Sequence, residues 1–569
     1  MRYLALASDY DGTIARDGIV DDKTVKALER FRQSGRKLVL VTGRELPDLE
    51  NTFSRIDLFD FVVAENGALL YNPVTRAKRA LAPPPLTNFI EDLKRRGVDG
   101  LSVGEVIVAT WHPHETAVLE SIRDLGLDLQ VIFNKDAVMI LPAGVNKMTG
   151  LSHALDEMKL SRHNVVGVGD AENDQAFLGC CECSVAVANA IPSVKERADW
   201  VTEQAQGGGV AELIDRLLAD DLSSLNFQLQ RHGILLGHAG EEEVFIEPHG
   251  TNILLCGQSG SGKSTFVAGF LERLLERGYQ TCVIDPEGDY ESLDGFFTVG
   301  DQNHPPSLDQ IAQLLDHPDS NLSLNLIGVQ MQDRPKLFAS LLKNLQEKRL
   351  REGRPHWLIV DEAHHLLPCE WAPASAEVAG ERTGMMLVTV HPEHVSPAAL
   401  PLVDALVVVG KCPRDAVTEF ARIAGKQPPS LPAGDLPQGE AFVWFLDPDR
   451  TVDHLHTEAG KLERKRHKRK YAEGELEEER MFWFRGAEGK LNLRVQNLNM
   501  FLQIAEGIDD ETWLFHLNNG DYSDWLSQAI KDKDLSAEIK QVEEEQSLSP
   551  QESRKRIAKA IESRYTAPA

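Results

Sequence analysis

In MRYLALASDYDGT, Asp9 and Asp11 stand two residues apart at the end of a short apolar run. Side chains alternate along a strand, so both carboxylates can face one spot. One can attack phosphorus while the other handles the leaving-group proton. Gly12 permits the sharp turn that exposes them. Alone, such a pair could be an ordinary turn. Three later segments add to it. VTGR offers the Thr42 hydroxyl and the Gly43 amide to a phosphate oxygen. GVNK offers Lys147 as a cation for phosphoryl charge. GVGDAEND supplies Asp170, Asn173 and Asp174, oxygen donors that suit a hard octahedral ion, Mg2+ first.

A second set of chemical residues lies further on. Gly257-Gln258-Ser259-Gly260-Ser261-Gly262-Lys263-Ser264 fits GxxxxGK[ST] in full, between the apolar run NILLC and a helical pattern that Thr265 continues. Loop amides there can cradle the phosphates of ATP, with Gly257, Gly260, Ser261 and Gly262 setting the path. Lys263 reaches the terminal phosphates and Ser264 meets Mg2+. HWLIVDEAHHLLP reads as a buried strand ending at Asp361 and Glu362. Asp361 can hold a metal through water, and Glu362 can polarise an attacking water. CVIDPEGDY ends another strand at Asp285.

These residues need strands that end where the chemistry is. KLVLVTG (37–43), FVVAENG (61–67) and VVGVGD (165–170) alternate with helical patterns, which predicts a parallel sheet covered by helices. APPPL (82–86) interrupts the alternation, and residues from about 84 to 144 read as an inserted small α/β unit. A second α/β region opens with GILLG and EVFIE, and the chain turns mainly helical after PDRTVDH. The predicted division is 1–222 with a cap at about 84–144, then 225–458, then 460–569.

The ordered set Asp-x-Asp, Thr, Lys and Gly-Asp-x-x-Asn-Asp resembles the haloacid dehalogenase superfamily, and AENGA and AVANA resemble its Cof-type branch. The resemblance implies a Rossmann-like domain with a small α/β cap and a phosphatase activity. It implies Asp9 as nucleophile and Asp11 as general acid, then base. Thr42 and Lys147 would hold the phosphoryl group. Asp9, the Asp11 carbonyl and Asp170 would hold Mg2+, with Asn173 and Asp174 in support. The short cap resembles that of archaeal-type phosphoglycolate phosphatases and related sugar phosphatases, which implies a small phosphorylated metabolite as substrate. IDPEGDY and VDEAHHLLP resemble HerA/FtsK-type ATPases, which implies a P-loop α/β domain and a homo-oligomer, with a ring as one form. In that resemblance Arg382 acts across a subunit interface. Val390 stands where a polar sensor is expected.

Composition narrows the remaining classes. A net charge of −28 disfavours a broad nucleic-acid surface. A basic run, KLERKRHKRKY (461–471), is the local exception, and EGELEEER follows it at once. Paired charges on an exposed helix are the favoured reading over a DNA contact. No apolar run is long enough to span a membrane. Seven cysteines with no signal peptide read as reduced thiols in a cytoplasm. Cys180, Cys181 and Cys183 cluster without a second pair to complete a metal site, so they read as packing residues. His112, His114 and Glu115 read as a surface loop of the cap. MFWFRG with Trp513, Phe515, Tyr522 and Trp525 reads as a small helical core. Two functions compete. One is a metabolic phosphatase controlled by, or assembled on, an ATPase. The other is a nucleic-acid motor or defence ATPase with an accessory phosphatase.

Overall fold

The computed structural model describes residues 2–565 apart from 135, 225–231, 291–292, 371–383, 432–433, 448–451, 458–459, 461–475, 477–479, 487–488, 490, 531 and 546–547. Arg382 and the basic run at 461–471 therefore lie outside the described residues. The chain folds as two compact units. The larger holds Met1–Lys263, Arg273–Glu291 and Gly295–Thr457, and the other holds Ser264–Glu272, Ser292–Asp294 and Glu458–Ala569.

The larger unit contains two α/β sheets, each with its own apolar core. The first sheet is built from β1 (Ala5–Ser8), β2 (Lys37–Val41), β3 (Phe61–Ala64), β4 (Leu69–Asn72) and β5 (Ala77–Ala80). A cap follows, with β6 (Ser102–Val103), β7 (Val108–Trp111), β8 (Leu129–Asn134) and β9 (Ala137–Pro142). The chain then returns as β10 (Val165–Gly169), β11 (Cys183–Ala186) and β12 (Trp200–Val201). The order is β12-β11-β10-β1-β2-β3-β4-β5, parallel from β12 through β3. β1 is buried on both faces, as its run of apolar and small residues requires. The cap is a four-stranded antiparallel sheet, β6-β7-β9-β8, against helices Thr87–Arg95 and Glu115–Leu125.

The second sheet comprises β13 (Ile234–Ala239), β14 (Glu242–Ile246), β15 (Asn252–Cys256), β16 (Thr281–Asp285), β17 (Phe296–Val299), β18 (Asn321–Asn325), β19 (Trp357–Val360), β20 (Met385–Thr389), β21 (Ala405–Val409), β22 (Glu440–Phe445) and β23 (Val452–His456). The order is β14-β13-β23-β22-β21-β15-β20-β19-β16-β18-β17, parallel from β21 to β17. β20 thus stands between the strand that feeds the Gly-rich loop and the strand that ends in Asp361-Glu362. The other unit carries a hairpin (β24, Phe482–Phe484; β25, Leu493–Val495) and helices including Leu498–Gly507, Asp510–Asn519 and Pro550–Tyr565. Phe484, Trp513, Tyr522 and Trp525 join its core, where Trp513 and Tyr522 stack at 4.6 Å, while Phe515 stays half-buried.

The two α/β sheets meet through polar residues that precede their strands. Arg2 precedes β1, His163 and Asn164 lead into β10, and Glu182 leads into β11. From the second sheet come His249 before β15, Tyr279 and Gln280 before β16, and His356 before β19. Glu182 is buried, and its carboxylate accepts from Arg2 Nη2 at 2.9 Å, His163 Nδ1 at 2.7 Å and the Tyr279 hydroxyl at 3.1 Å. His249 Nε2 stands 3.3 Å from it. His163 also points Nε2 at the Arg277 carbonyl, 2.9 Å away. Both its ring nitrogens therefore stand within hydrogen-bond distance of an oxygen. Burial alone would raise the Glu182 carboxyl, but the His163 hydrogen bond and the His249 ring beside it outweigh burial and hold the carboxyl well below its ordinary value. Backbone contacts extend the seam. Arg354 Nη2 donates to the Lys159 carbonyl at 2.8 Å, and Asn164 Nδ2 to the Gly353 carbonyl at 3.3 Å.

Removing one partner of a buried ion pair leaves the others unpaired, at a cost of about 3–5 kcal/mol. Glu182→Gln is therefore expected to lower the thermal midpoint of the full chain in calorimetry, whereas Glu91→Gln, on the exposed side of a cap helix, is expected to leave it unchanged. The sign with pH follows from the lowered folded value. The Glu182 contribution is present above the ordinary value of 4.5 and is lost as pH falls through the folded value. The difference between wild type and Glu182→Gln is expected to close on acidification.

Candidate active sites

Strand ends place the first site. β1 ends at Ser8, and Asp9 follows, buried, its N–H donating to the Val168 carbonyl at 3.0 Å. β10 ends at Gly169, which brings Asp170 beside the Asp9 turn. Lys147 opens the helix Lys147–Glu157, and a capping box on Asn146 fixes its first turn. Lys147 Nζ donates to Asp9 Oδ1 at 2.5 Å and to Asp174 Oδ1 at 2.6 Å. Asp174 Oδ2 accepts from the Asp170 and Ala171 amides, both at 2.9 Å. Asp174 therefore works from behind, anchoring the lysine and the turn that carries Asp170. Thr13 Oγ1 donates to Asp170 Oδ1 at 3.2 Å. Gly12 has φ +87°, and a Cβ there would collide with the Asp170 carboxylate.

Oxygens of Asp9, Asp170 and Asp174 lie within 4.8 Å of one another, and all three residues are buried. Among the described residues, one ammonium faces these three carboxyl groups. Burial pushes the Asp9 carboxyl up to about 8, with Asp174 adding and Lys147 opposing. Burial alone would lower the Lys147 ammonium, but Asp174 and Asp9 hold it above its ordinary value. Such excess negative charge among hard oxygen donors fits a divalent cation. Thr42 is fully buried after β2, and its hydroxyl accepts from the Arg44 amide at 3.1 Å. Gly43 follows it, under Met139 of the cap. Asn173 Nδ2 donates to Asn66 Oδ1 at 3.1 Å.

Arg44 is the functional residue that the motifs passed over. Its guanidinium grips Asp11 through both oxygens, Nε to Oδ2 at 2.6 Å and Nη2 to Oδ1 at 2.8 Å, and Nη1 reaches Asp48 at 2.6 Å. A forked pair fixes orientation as well as charge. His112 and Glu115 pair with each other at 2.9 Å on the cap surface, as a surface loop would.

The second site has the same logic. β15 feeds Gly257, and Lys263 opens the helix Lys263–Arg277, which Ser264 and Thr265 continue. Gly260 and Gly262 take left-handed φ of +75° and +103°. Lys263 Nζ donates to the Gly257 carbonyl at 2.7 Å. Gly410, just past β21 with φ +81°, lies so close to Ser261 that a Cβ would collide with that side chain. β19 delivers Asp361 and then Glu362, whose φ of +40° is left-handed. Burial and Asp361 push Glu362 up to about 7, against Lys263. Glu362 Oε2 has no hydrogen bond among the described residues, and His364 Nδ1 stands 3.4 Å away. Asp285 is spent locally, accepting from the Gly288 amide at 2.8 Å and the Tyr290 amide at 2.7 Å.

β20 closes on Thr389, in register with Cys256 of the loop strand, and Val390 falls beyond the strand. The Thr389 hydroxyl is buried, donates to the His391 carbonyl at 3.2 Å and lies 3.4 Å from His364 Nδ1. A polar side chain therefore does occupy the strand end, one residue earlier than Val390.

Residues 6–110 and 105–214 match a family model described as haloacid dehalogenase-like hydrolase. A phosphoglycolate phosphatase of Methanothermobacter thermautotrophicus is 34% identical over 221 residues, covering 38% of this chain and 98% of that protein. This chain belongs to the haloacid dehalogenase-like hydrolases. The membership rests on its first 220 or so residues. Phosphoglycolate phosphatase 2 of Saccharolobus solfataricus is 29% identical over 226 residues, covering 38% of this chain and 93% of its own. Among solved structures, a haloacid dehalogenase-like hydrolase from Bacteroides thetaiotaomicron has 20% identity and a TM-score of 0.34, covering 38% of this chain and 99% of its own. Residues 247–382 match a model described as AAA domain, so the second region is a P-loop ATPase domain. The match is broader than the HerA/FtsK resemblance. No helix among the described residues is long and apolar enough to cross a membrane.

If Arg44 aims Asp11, losing the fork should slow chemistry more than binding. Misplacing a catalytic group by about 1 Å costs on the order of 100-fold. Arg44→Ala is expected to lower phosphatase kcat by about 10- to 100-fold with a smaller change in KM, and Arg44→Lys to recover only part of it, in steady-state assays.

Proposed function

We propose that the haloacid dehalogenase-like domain hydrolyses a small phosphomonoester through an aspartyl-phosphate on Asp9. We further propose that the P-loop domain binds and hydrolyses ATP and controls that hydrolysis. The convergence of Asp9, Lys147, Asp170 and Asp174 carries the first part of this reading. Asp9, the Asp11 carbonyl and Asp170 would hold Mg2+, which when bound would offset charge on the phosphoryl oxygens. Lys147 and Thr42 hold the phosphoryl group, with the Gly43 amide and Asn173 beside them. An Asp9 oxygen forms a bond to phosphorus as the ester P–O bond breaks. Asp11, protonated when its fork with Arg44 opens, gives its proton to the departing alkoxide. Asp11, now ionised, takes a proton from water as that water attacks phosphorus. The Asp9–phosphorus bond breaks and inorganic phosphate leaves.

The cap gives the substrate a chemical shape. Ser102 bonds Glu45, and Met139 lies over Gly43, so these two residues mark the cap face turned to the site. Register places Ala109 and Ile132 level with Met139, and Trp111 level with Ala137, on that same face. Trp111 is 58% exposed there. The leaving group therefore meets Met139 first and apolar surface beyond it. The related proteins are phosphoglycolate phosphatases, whose name specifies a carboxylate-bearing ester. This cap face favours an ester with an uncharged carbon skeleton. The proposal includes a homo-oligomer, since the HerA/FtsK resemblance puts Arg382 at a neighbouring subunit's site.

Two experiments test the reading. With Mg2+ and a panel of phosphate esters, wild type should turn over several, and Asp9→Asn none. Glu362→Gln should bind ATP yet hydrolyse it at least about 100-fold more slowly. ATPase stimulation by DNA, with no ester turned over, would favour a nucleic-acid motor instead. For the cap, Trp111→Ala is expected to raise KM about two- to tenfold for ring-bearing esters and to leave glycerol phosphate unchanged.

A further inference from the structure

The seam reaches each site by one regular element. The helix Lys263–Arg277 begins at the phosphate-binding lysine and ends against the phosphatase domain. The carbonyl of its last residue, Arg277, accepts from Arg162 Nη2 at 2.6 Å and His163 Nε2 at 2.9 Å. The Arg162 guanidinium on a helix carboxyl end complements its dipole. Arg162–Asn164 form a single 3-10 turn, and the next residue opens β10. β10 delivers Asp170. One helix, one clamp and one strand therefore run from Lys263 to the carboxylate cluster.

A second link runs beside the first. Gly278 caps the helix in the left-handed region, and Tyr279 follows it. The Tyr279 ring stacks on His163 at 3.8 Å, and its hydroxyl donates to Glu182. Glu182 leads into β11, the neighbour of β10. The helix end is thus tied to two adjacent strands of the phosphatase sheet, by the buried His163, Tyr279 and Glu182 and by the exposed Arg162.

We propose that nucleotide bound at the P-loop regulates the phosphatase through this clamp. The inference rests on the reading of the Asp9 centre as a phosphatase and deepens it. Lys263 Nζ bonds the Gly257 and Gln258 carbonyls, and nucleotide phosphate competes for the same ammonium. Binding therefore changes bonds at the first residue of the helix. A helix of this length moves as a rod of roughly 22 Å, so the change is felt at Arg277. The coupling proposed is positive, each ligand favouring the same arrangement of the clamp. Direct transfer between the sites is ruled out by topology. Both catalytic edges are carboxyl ends of strands, and the sheets join by their amino ends.

The test uses the full chain with Mg2+, a non-hydrolysable ATP analogue and a phosphate ester that wild type turns over. Saturating analogue is expected to raise phosphatase kcat/KM about fivefold or more. Lys263→Ala should abolish the rise. Arg162→Ala and Tyr279→Phe should keep basal phosphatase activity within about twofold, bind the analogue, and show little or no rise. Linkage is reciprocal, which gives a readout without turnover. Beryllium fluoride with Mg2+, mimicking the phosphoryl group on Asp9, should tighten analogue binding by the same factor in calorimetry, and Arg162→Ala should remove the gain. An unchanged rate and an unchanged affinity in wild type would overturn the proposal. So would a full effect in both clamp variants. Absence of turnover on every ester would defeat the phosphatase reading, and the affinity arm would still decide the coupling.

Discussion

Glu182 is a carboxylate without water, and the relation between the two enzymes depends on how it is satisfied. A buried charge is tolerated only when paired and hydrogen-bonded. Its partners come from both α/β sheets: Arg2 and His163 from one, Tyr279 and His249 from the other. Neither sheet alone completes the set. Separating them would leave the Glu182 carboxylate with half its partners gone. The seam is therefore an obligate part of the fold, unlike the few exposed ion pairs around it, such as Lys159 with Asp316 at 3.3 Å.

The phosphatase centre meets the same problem differently. Three acids converge on one lysine, and the surplus charge is left to a cation of high charge density. Structure divides the labour among the acids in a way that residue type does not. Asp174 is consumed by Lys147 and two backbone amides, while Asp170 is held by Thr13 and crowded by Gly12. The Asp9 side chain keeps one oxygen off Lys147. Asp11 is satisfied separately, with both its oxygens on the Arg44 guanidinium.

Much of this is legible in the sequence, and the illegible part has a physical cause. Asp9, Thr42, Lys147 and Asp170 announce themselves because each closes an apolar strand or opens a helix beside a turn residue, and such signals are local. The alternating strands likewise point to the α/β class of both sheets. Arg44 adjoins a quoted motif, but its role depends on Asp11, 33 positions away. Glu182 is hidden by its neighbours. In CCEC the cysteines draw attention, yet they pack, and the glutamate makes the long-range bonds with Arg2 and Tyr279. Val390 lies just past the end of β20, which Thr389 closes. A strand's end is set by its register with β15, which no single segment displays. In the sequence His364 is only a neighbour of the Asp-Glu pair, because its approach to Thr389 requires two strands to be adjacent.

The location of the seam follows from what parallel α/β sheets leave unused. In both domains the ligand-binding groups emerge at carboxyl strand ends, where loops and helix starts present amides and carboxylates. The amino ends carry no such groups and are the edges that can be covered without blocking a substrate. Polar residues just before a strand are also well placed for leverage. Several lie one to three residues before a strand that leads to a candidate site residue, Arg2 before β1 and Asp9, His163 before β10 and Asp170, His356 before β19 and Asp361, and a buried strand transmits a shift along its length because close packing leaves it no slack. Joining two enzymes there keeps both sites open and places the strongest contacts on the elements that carry the catalytic groups. An attachment through surface loops would satisfy the first condition and lose the second.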